Sequence, residues 1–320
     1  MHKTVDIAII GAGPAGLTAA VYAGRAGKSV LIFEKESFGG QMNYALNIEN
    51  YPGILSVNGS ELASRMTEQA LSYGADTEFG RVIRVEKKDG LFHVYTEDDE
   101  FTALSVIAAA GVMPGKLGLP YEDELTGYGV SYCAICDGAF YTKKTVIVAG
   151  GGNAAVDDAL ILSDICEKVY IVHRRGEFRA EKSLVDELLQ KNNVEAVLDV
   201  KITELLRKKI PGSESVYFAG LKLRNNSDDI VRELNADGLF VSVGRIPENS
   251  PFVPLADTDE KGYILSNENG TTFVEGFFTA GDCRAKNIRQ ITTAVSDGAA
   301  AALSACEYLR TVKIPDGADL

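Results

Sequence analysis

The sequence predicts an α/β protein built from two nucleotide-binding domains, one inserted into the other. Three observations predict it. Two glycine-rich motifs, Gly11-Ala12-Gly13-Pro14-Ala15-Gly16 and Gly150-Gly151-Gly152-Asn153-Ala154-Ala155, each stand where an apolar strand runs into a helix. Turn-forming residues at Pro114-Gly115 and Gly244-Arg245-Ile246-Pro247 bracket the second motif. Beyond the second bracket an apolar strand signal and a long alanine-rich helix resume. The reading is two Rossmann-like domains. One is discontinuous, from residues 1–115 and 246–320. The other is inserted between them, at 116–245.

Composition bounds the classes. A chain of 320 residues is long enough for two domains with a core each. Its 46% hydrophobic and 24% charged residues are ordinary for a globular α/β protein. A net charge of −13 speaks against nucleic acid as a partner, which asks for a basic surface. No apolar run reaches the roughly 18 residues of a membrane span. The N-terminus leads straight into a strand with no secretory leader. The expectation is a cytoplasmic protein with no membrane partner.

The first unit reads as strand Val5–Ile10, a glycine turn, a helix from Pro14 to about Ala26 and strand Ser29–Glu34. Leu17, Ala20, Val21 and Gly24 recur along that helix at helical spacing. The second unit reads as strand Thr145–Ala149, a glycine turn, a helix from about Ala154 to Ile165 and strand Lys168–His173. In such a unit the glycines allow a tight turn and let phosphate approach backbone N–H groups at the positive end of the helix. This gives Gly11, Gly13 and Gly16 one nucleotide, and Gly150, Gly152 and Ala155 another. Pro14 and Ala15, Asn153 and Ala154 open the two helices.

The residue at the end of the second strand, roughly 20 positions past the glycines, faces the adenosine ribose. In the first unit it is Glu34. A carboxylate accepts from both ribose hydroxyls and repels a 2′-phosphate, which suits FAD or NAD. At the same register the second unit has His173, followed by Arg174 and Arg175. Guanidinium groups bind phosphate through paired charge-assisted bonds, so this site suits NADPH. Arg179 offers a third cation. The competing reading is a solvated basic turn.

Between the motifs lies Cys133-Ala134-Ile135-Cys136-Asp137. The other cysteines, Cys166, Cys283 and Cys306, are scattered. A lone Cys-x-x-Cys in a reducing compartment reads as catalytic. Zinc is the alternative, but it asks for four ligands, and the three histidines form no pair. No metal is expected.

Gly39-Gly40-Gln41 offers backbone without side chains against a flat ring. Gly276-Phe277-Phe278-Thr279-Ala280-Gly281-Asp282 reads as a short strand ending in a carboxylate. Strand ends of this kind meet ligands, so Asp282 is either a ligand to a cofactor hydroxyl or a helix cap. Arg289-Gln290 precedes a helix from about Thr292 to Leu309. Arg81–Val85 and Phe92–Thr96 are expected to form a smaller sheet covering the first domain.

These motifs together resemble the bacterial-type, low-molecular-weight thioredoxin reductases. The resemblance runs nearly end to end. It adds Glu49-Asn50-Tyr51-Pro52-Gly53 and His173–Ala180 to the segments above, and Cys133–Gly138 inside the second domain, together with His173–Ala180, is highly specific to that group. It implies FAD contacts extending to Lys35, Gly39, Gly40, Gln41, Asn50, Gly281, Asp282, Arg289, Gln290 and Ile291. It implies that Cys136 is the sulfur nearer the flavin, that Cys133 attacks the disulfide of thioredoxin, and that Asp137 handles the proton. It implies a homodimer, and a rotation between domains that lets the disulfide and the nicotinamide take turns at one flavin.

On the residues alone, a Cys-x-x-Cys lowers one thiol pKa, and the thiolate is the nucleophile. Asp137 is then a proton donor or a simple turn former. Ala109-Ala110-Gly111-Val112, Pro114-Gly115-Lys116 and Cys283 depart from the family pattern. Cys283 is either an added redox thiol or a small buried hydrophobe. Four rival functions stay open here: the same chemistry serving another dithiol protein, a dithiol oxidase, a ferredoxin-fed reductase and a redox-sensing binding protein.

Overall fold

Runs of β-branched residues with no polar alternation mark strands covered on both faces, as parallel sheets require. Val5–Ile10 is such a strand, and it takes Val30–Glu34 on one side and Glu100–Ala108 on the other, all parallel. Ala75–Phe79 extends the sheet beyond Val30–Glu34. The computed structural model describes residues 4–45, 47–209 and 216–312. It divides into two compact units, Met1–Met113 with Ile246–Leu320, and Pro114–Arg245.

In the first unit the nine-residue strand Glu100–Ala108 serves three neighbours. Its length of pairing with Val5–Ile10 leaves the opposite edge free. That edge is filled by Leu91–Tyr95 near Glu100–Ala103 and by Phe277–Thr279 along Val106–Ala108. The hairpin of Arg84–Lys88 and Leu91–Tyr95 therefore continues the main sheet antiparallel. The sequence reading of a separate, smaller sheet is corrected here, and its first strand begins at Arg84 rather than Arg81. The reason is the long strand, which has room for a partner at each end of one edge.

The helix Pro14–Arg25 starts on a proline in its first turn, where the missing N–H costs no hydrogen bond. It packs against the helix Ile291–Tyr308 through small residues, with Ala15, Ala19 and Ala23 sharing a core with Ala294, Ala301 and Ala305. A Cβ on Gly298 would sit 2.1 Å from the Ala15 carbonyl oxygen, so this crossing admits only glycine.

The second unit centres on a five-stranded parallel sheet. Its order is Val194–Val197, Lys168–Val172, Thr145–Ala149, Gly238–Val241, Val130–Ser131. Successive side chains of a strand point to opposite faces. Val146 and Val148 accordingly pack with Ala155, Ala159 and Leu162 of the helix Asn153–Ser163. Ile147 and Ala149 pack with Leu205, Phe218 and Leu221. Those three belong to an antiparallel sheet of Val200–Lys209, Val216–Asn225 and Val231–Asn235, which the sequence reading did not anticipate. The chain passes between the units in short strands, Val112–Pro114 and Arg245–Pro247, which pair with each other.

Candidate functional site

The two glycine motifs solve one steric problem twice. A Cβ on Gly11 would lie 2.3 Å from the Ala109 carbonyl oxygen, and one on Gly150 would lie 2.4 Å from that of Ser242. Each first glycine lets the turn pass under a neighbouring strand end. The third positions are packed as well: a Cβ on Gly16 would meet the Gly11 oxygen at 1.8 Å, while Ala155 fits because its own Cβ faces Gly150. The middle glycines differ. A Cβ on Gly13 or Gly152 would meet no atom within 4 Å. Both are helix N-caps without a side-chain cap, and neither helix has an acid in its first turn. Uncapped N–H groups beside open space, with no carboxylate to compete, fit a pyrophosphate in both places.

The ribose ends diverge. Glu34 is buried, and its carboxylate accepts from the N–H groups of Ala12 at 2.9 Å, Lys35 at 2.8 Å and Glu36 at 2.9 Å. It is locked against the first motif with its charge satisfied by backbone. The Lys35 ammonium is drawn to Glu248, a partner the sequence gave no sign of. In the second unit Arg174, Arg175 and Arg179 are exposed. His173 is buried, stacks on Phe178 with ring centroids 6.0 Å apart, and lies where a Cβ on Gly151 would fall, 2.3 Å from its Nδ1. Its Nε2 is buried and without a hydrogen-bond partner among the described residues. Burial, then the charges of Arg179, Arg175 and Arg174, holds this imidazole below its ordinary pKa and therefore neutral. The backbone of the arginine turn is tied down by residues far along the chain. Asn226 Nδ2 donates to the Arg174 carbonyl at 2.9 Å, and the Asp199 N–H donates to that of Arg175 at 3.0 Å. Arg179 N–H donates to the Gly151 carbonyl at 2.7 Å, joining the turn to the glycine motif.

The remaining first-unit candidates converge. Gly39 N–H donates to the Ala12 carbonyl at 2.8 Å, and a Cβ on Gly40 would lie 3.3 Å from Gly13 Cα. Gly39 and Gly40 take positive φ, 109° and 55°. Gly281, with φ 79°, returns to the same place, because a Cβ there would sit 2.8 Å from that of Ala15. Asn50 Nδ2 donates to Gln290 Oε1 at 3.3 Å, and Gln41 Nε2 to the Val112 carbonyl at 3.3 Å. Arg289 lies over the ring of Tyr263 and donates to the Asp282 carbonyl at 3.3 Å. Gln290 caps the helix that Ile291 begins, through a reciprocal pair with Thr293. The Asp282 carboxylate is 3.4 Å from Lys286, which also bonds Asp297 at 2.8 Å. Asp297 accepts from the Gly281 N–H at 3.1 Å and from Arg284 at 3.2 Å. Lys286 and Asp297 carried no signal in the sequence, where they read as ordinary charges of a loop and a helix.

Cys133 and Cys136 are joined as a disulfide, with Cα atoms 5.3 Å apart. Cys133 caps the short helix Ala134–Asp137, and its Sγ accepts from the Cys136 N–H at 3.2 Å. That donor would stabilise a thiolate on Cys133 after reduction. Asp137 is partly buried, and this burial pushes its carboxyl above the ordinary carboxylate range, while a bond from Ser131 acts in the opposite sense. Ser131 Oγ donates to Asp137 Oδ2 at 2.6 Å and accepts from the Cys133 N–H at 3.0 Å. Cys283 is fully buried beside the Ala108 and Ala280 carbonyls at 3.4 and 3.3 Å, and burial raises its thiol pKa. Its sulfur lies against backbone carbonyls and the Thr279 hydroxyl, 3.5 Å away, in a buried polar corner. Among the described residues no group of three or more His, Cys, Asp and Glu side chains could hold a metal ion, and no helix is long and apolar enough to cross a membrane.

A family described as pyridine nucleotide-disulphide oxidoreductase matches residues 5–298. A thioredoxin reductase from Treponema pallidum is 39% identical, covering 98% of this chain and 100% of its own. One from Bacillus subtilis is 40% identical, covering 98% and 97%. The crystal structure of thioredoxin reductase from Streptococcus pyogenes is similar with a TM-score of 0.91 at 38% identity, over 98% of this chain and 100% of the other.

Proposed function

The chain belongs to the pyridine nucleotide-disulphide oxidoreductase family, and from that premise we propose an NADPH-dependent flavoprotein disulfide reductase acting on thioredoxin. The observation that carries the reading is the Cys133–Cys136 disulfide in the unit whose nucleotide motif ends in three exposed arginines. The rival functions named from the sequence are not favoured beside it.

The cofactors are FAD and NADPH. The unit of Met1–Met113 and Ile246–Leu320 is the FAD domain, with Gly13 at the pyrophosphate, Glu34 at the ribose and the turns of Gly39–Gln41 and Gly281–Asp282 closing around the ligand. The unit Pro114–Arg245 is the NADPH domain. Gly152 faces its pyrophosphate, and Arg174, Arg175 and Arg179 face the 2′-phosphate. FAD, when bound, would supply two-electron chemistry between the nicotinamide and the disulfide.

The residues of the chain do the rest. Two electrons break the Cys133–Cys136 bond; Asp137 supplies one proton, which leaves Cys136 a thiol and Cys133 a thiolate. The Cys136 proton returns to Asp137 when Cys136 later attacks, so that thioredoxin takes its two protons from Asp137 and water. The Cys133 thiolate then attacks one sulfur of the thioredoxin disulfide and forms a mixed disulfide. Cys136 attacks Cys133, re-forms the original bond, and thioredoxin leaves with both its sulfurs reduced. The half-reactions alternate by rotation about the two crossings at Val112–Pro114 and Arg245–Pro247.

The reading includes a cytoplasmic homodimer. Cys166, Cys283 and Cys306 stay unpaired, as a reducing compartment expects.

The test is anaerobic titration of the FAD-loaded protein. NADPH is expected to bleach the flavin, NADH far less, and oxidised thioredoxin to restore the colour. Absence of bleaching by NADPH would sink the reading. Rapid oxygen uptake with dithiols would replace it with an oxidase.

A further inference from the structure

We propose that Ser131 is the positioning residue of the redox centre, a hydroxyl relay that couples the protonation of Asp137 to the backbone of the cysteine loop. The inference rests on Asp137 acting as the proton donor. A serine hydroxyl has one proton and two lone pairs. At Ser131 the Cys133 N–H, 3.0 Å away, takes a lone pair and so fixes the rotor. The proton is left two acceptors, Asp137 Oδ2 at 2.6 Å and the Cys133 carbonyl at 3.4 Å. The short contact goes to the carboxylate while Asp137 is charged, because charge-assisted O–H···O⁻ bonds are the shorter and stronger kind.

When Asp137 is protonated it must donate to Ser131 Oγ through the second lone pair. The serine proton then swings to the Cys133 carbonyl. No bond to a heavy atom changes, and the proton count is conserved. Delivery of the Asp137 proton to a cysteine sulfur reverses the swing. The relay thus has two hydrogen-bond settings, one for each charge state of Asp137, and both end on Cys133. Its worse geometry lies on the neutral side, so Ser131 opposes the effect that burial has on Asp137.

The surroundings leave the relay few competitors. From the turn Gly138–Tyr141, the Tyr141 phenol faces this corner. Its pKa is pushed up to about 12 by burial, then by Asp137 and Asp237, and it stays neutral across the working range. The helix Asn153–Ser163 meets Gly138 with the apolar Leu162. Its Asp158 is bonded to Ser242. After reduction the thiols of Cys133 and Cys136 are the other titrating groups.

The experiment measures kcat/KM for thioredoxin against pH in the FAD-loaded enzyme and in Ser131→Ala, Ser131→Thr and Asp137→Asn. Anaerobic bleaching by NADPH checks that each variant is folded and loaded. The inflection that disappears in Asp137→Asn is expected to move up by about one pH unit in Ser131→Ala, the loss of one charge-assisted bond. It is expected to stay at the parent pH in Ser131→Thr, which keeps the hydroxyl. A uniform loss of rate in Ser131→Ala with the inflection unmoved overturns the relay and leaves the Asp137 reading standing. An inflection that survives in Asp137→Asn overturns the reading beneath it. Should Ser131→Ala not accumulate as folded protein, Ser131→Gly takes its place with the same expected shift.

Discussion

The two glycine motifs share their backbone and part company at the ribose end. In each, a first glycine slips under a strand end, a middle glycine opens the helix terminus, and a third small residue seals the turn. At the matching position further on, Glu34 is buried and bound by three backbone N–H groups, whereas His173 is buried and neutral beneath three exposed arginines. Under the proposed function the common part meets what nucleotides have in common, the pyrophosphate. The different part is the ribose end, Glu34 in one unit against His173, Arg174, Arg175 and Arg179 in the other, and in that reading it is where ligand choice is made. The first unit presents a carboxylate fixed by backbone N–H groups. The second presents exposed cations on a turn whose backbone is clamped by Asn226 and Asp199.

The comparison can be broken at three points. The largest effect belongs to the feature that only the second unit has. Cys133→Ser or Cys136→Ser is expected to lower turnover with thioredoxin by at least about a thousandfold while NADPH still bleaches the flavin. Stopped-flow absorbance and a thioredoxin-coupled assay read the two halves separately. Retained turnover would remove the disulfide from the electron path.

Next comes the cationic ribose end. Arg174→Ala combined with Arg175→Ala removes two charge-assisted bonds of about 1.5–3 kcal/mol each. It is expected to reduce kcat/KM for NADPH by about a hundredfold and to leave NADH within about threefold. Equal losses for both cofactors would mean that these arginines do not read the 2′-phosphate. The smallest change is on the acidic side. Glu34→Gln keeps the shape but gives up one acceptor oxygen and the charge, so FAD is expected to bind about tenfold more weakly, with KM for NADPH unchanged. Fluorescence titration of the stripped protein with FAD measures this. An unchanged FAD affinity would show that Glu34 serves only to brace Ala12, Lys35 and Glu36.

The sequence carried the frame well because the frame is made of local rules. Strands Val5–Ile10 and Thr145–Ala149 have the bounds read from the sequence, built around the apolar runs that begin at Ile7 and Val146. A glycine turn into a helix is visible within a dozen residues. The cover of the second unit was not legible, since Val200–Lys209 buries only Val200 and Leu205 while Val216–Asn225 buries the run Phe218–Leu221 and Leu223, so neither strand shows a clean two-residue alternation. The hairpin at Arg84–Tyr95 was seen but placed in the wrong sheet, because only the length of Glu100–Ala108 shows where it attaches. In the site, the residues with chemistry of their own were legible. Those that act on them were not. Ser131, Asn226, Lys286 and Asp297 are unremarkable in sequence and gain their meaning from partners that folding brings to them.

The contact of Gly281 and Gly298 with Ala15 has a consequence for the order in which the protein is made. The first glycine motif leaves the ribosome almost at once, but the residues that close its far side come some two hundred and seventy positions later (281 and 298 against 15). The unit Pro114–Arg245 is contiguous and complete well before them. Domains fold as units during synthesis, so the inserted unit can form while the outer one is still half built. The outer unit waits, with its first βαβ element in place and its closing helix unmade. Under the proposed function, the flavin site is complete only once the final segment of the chain has been made.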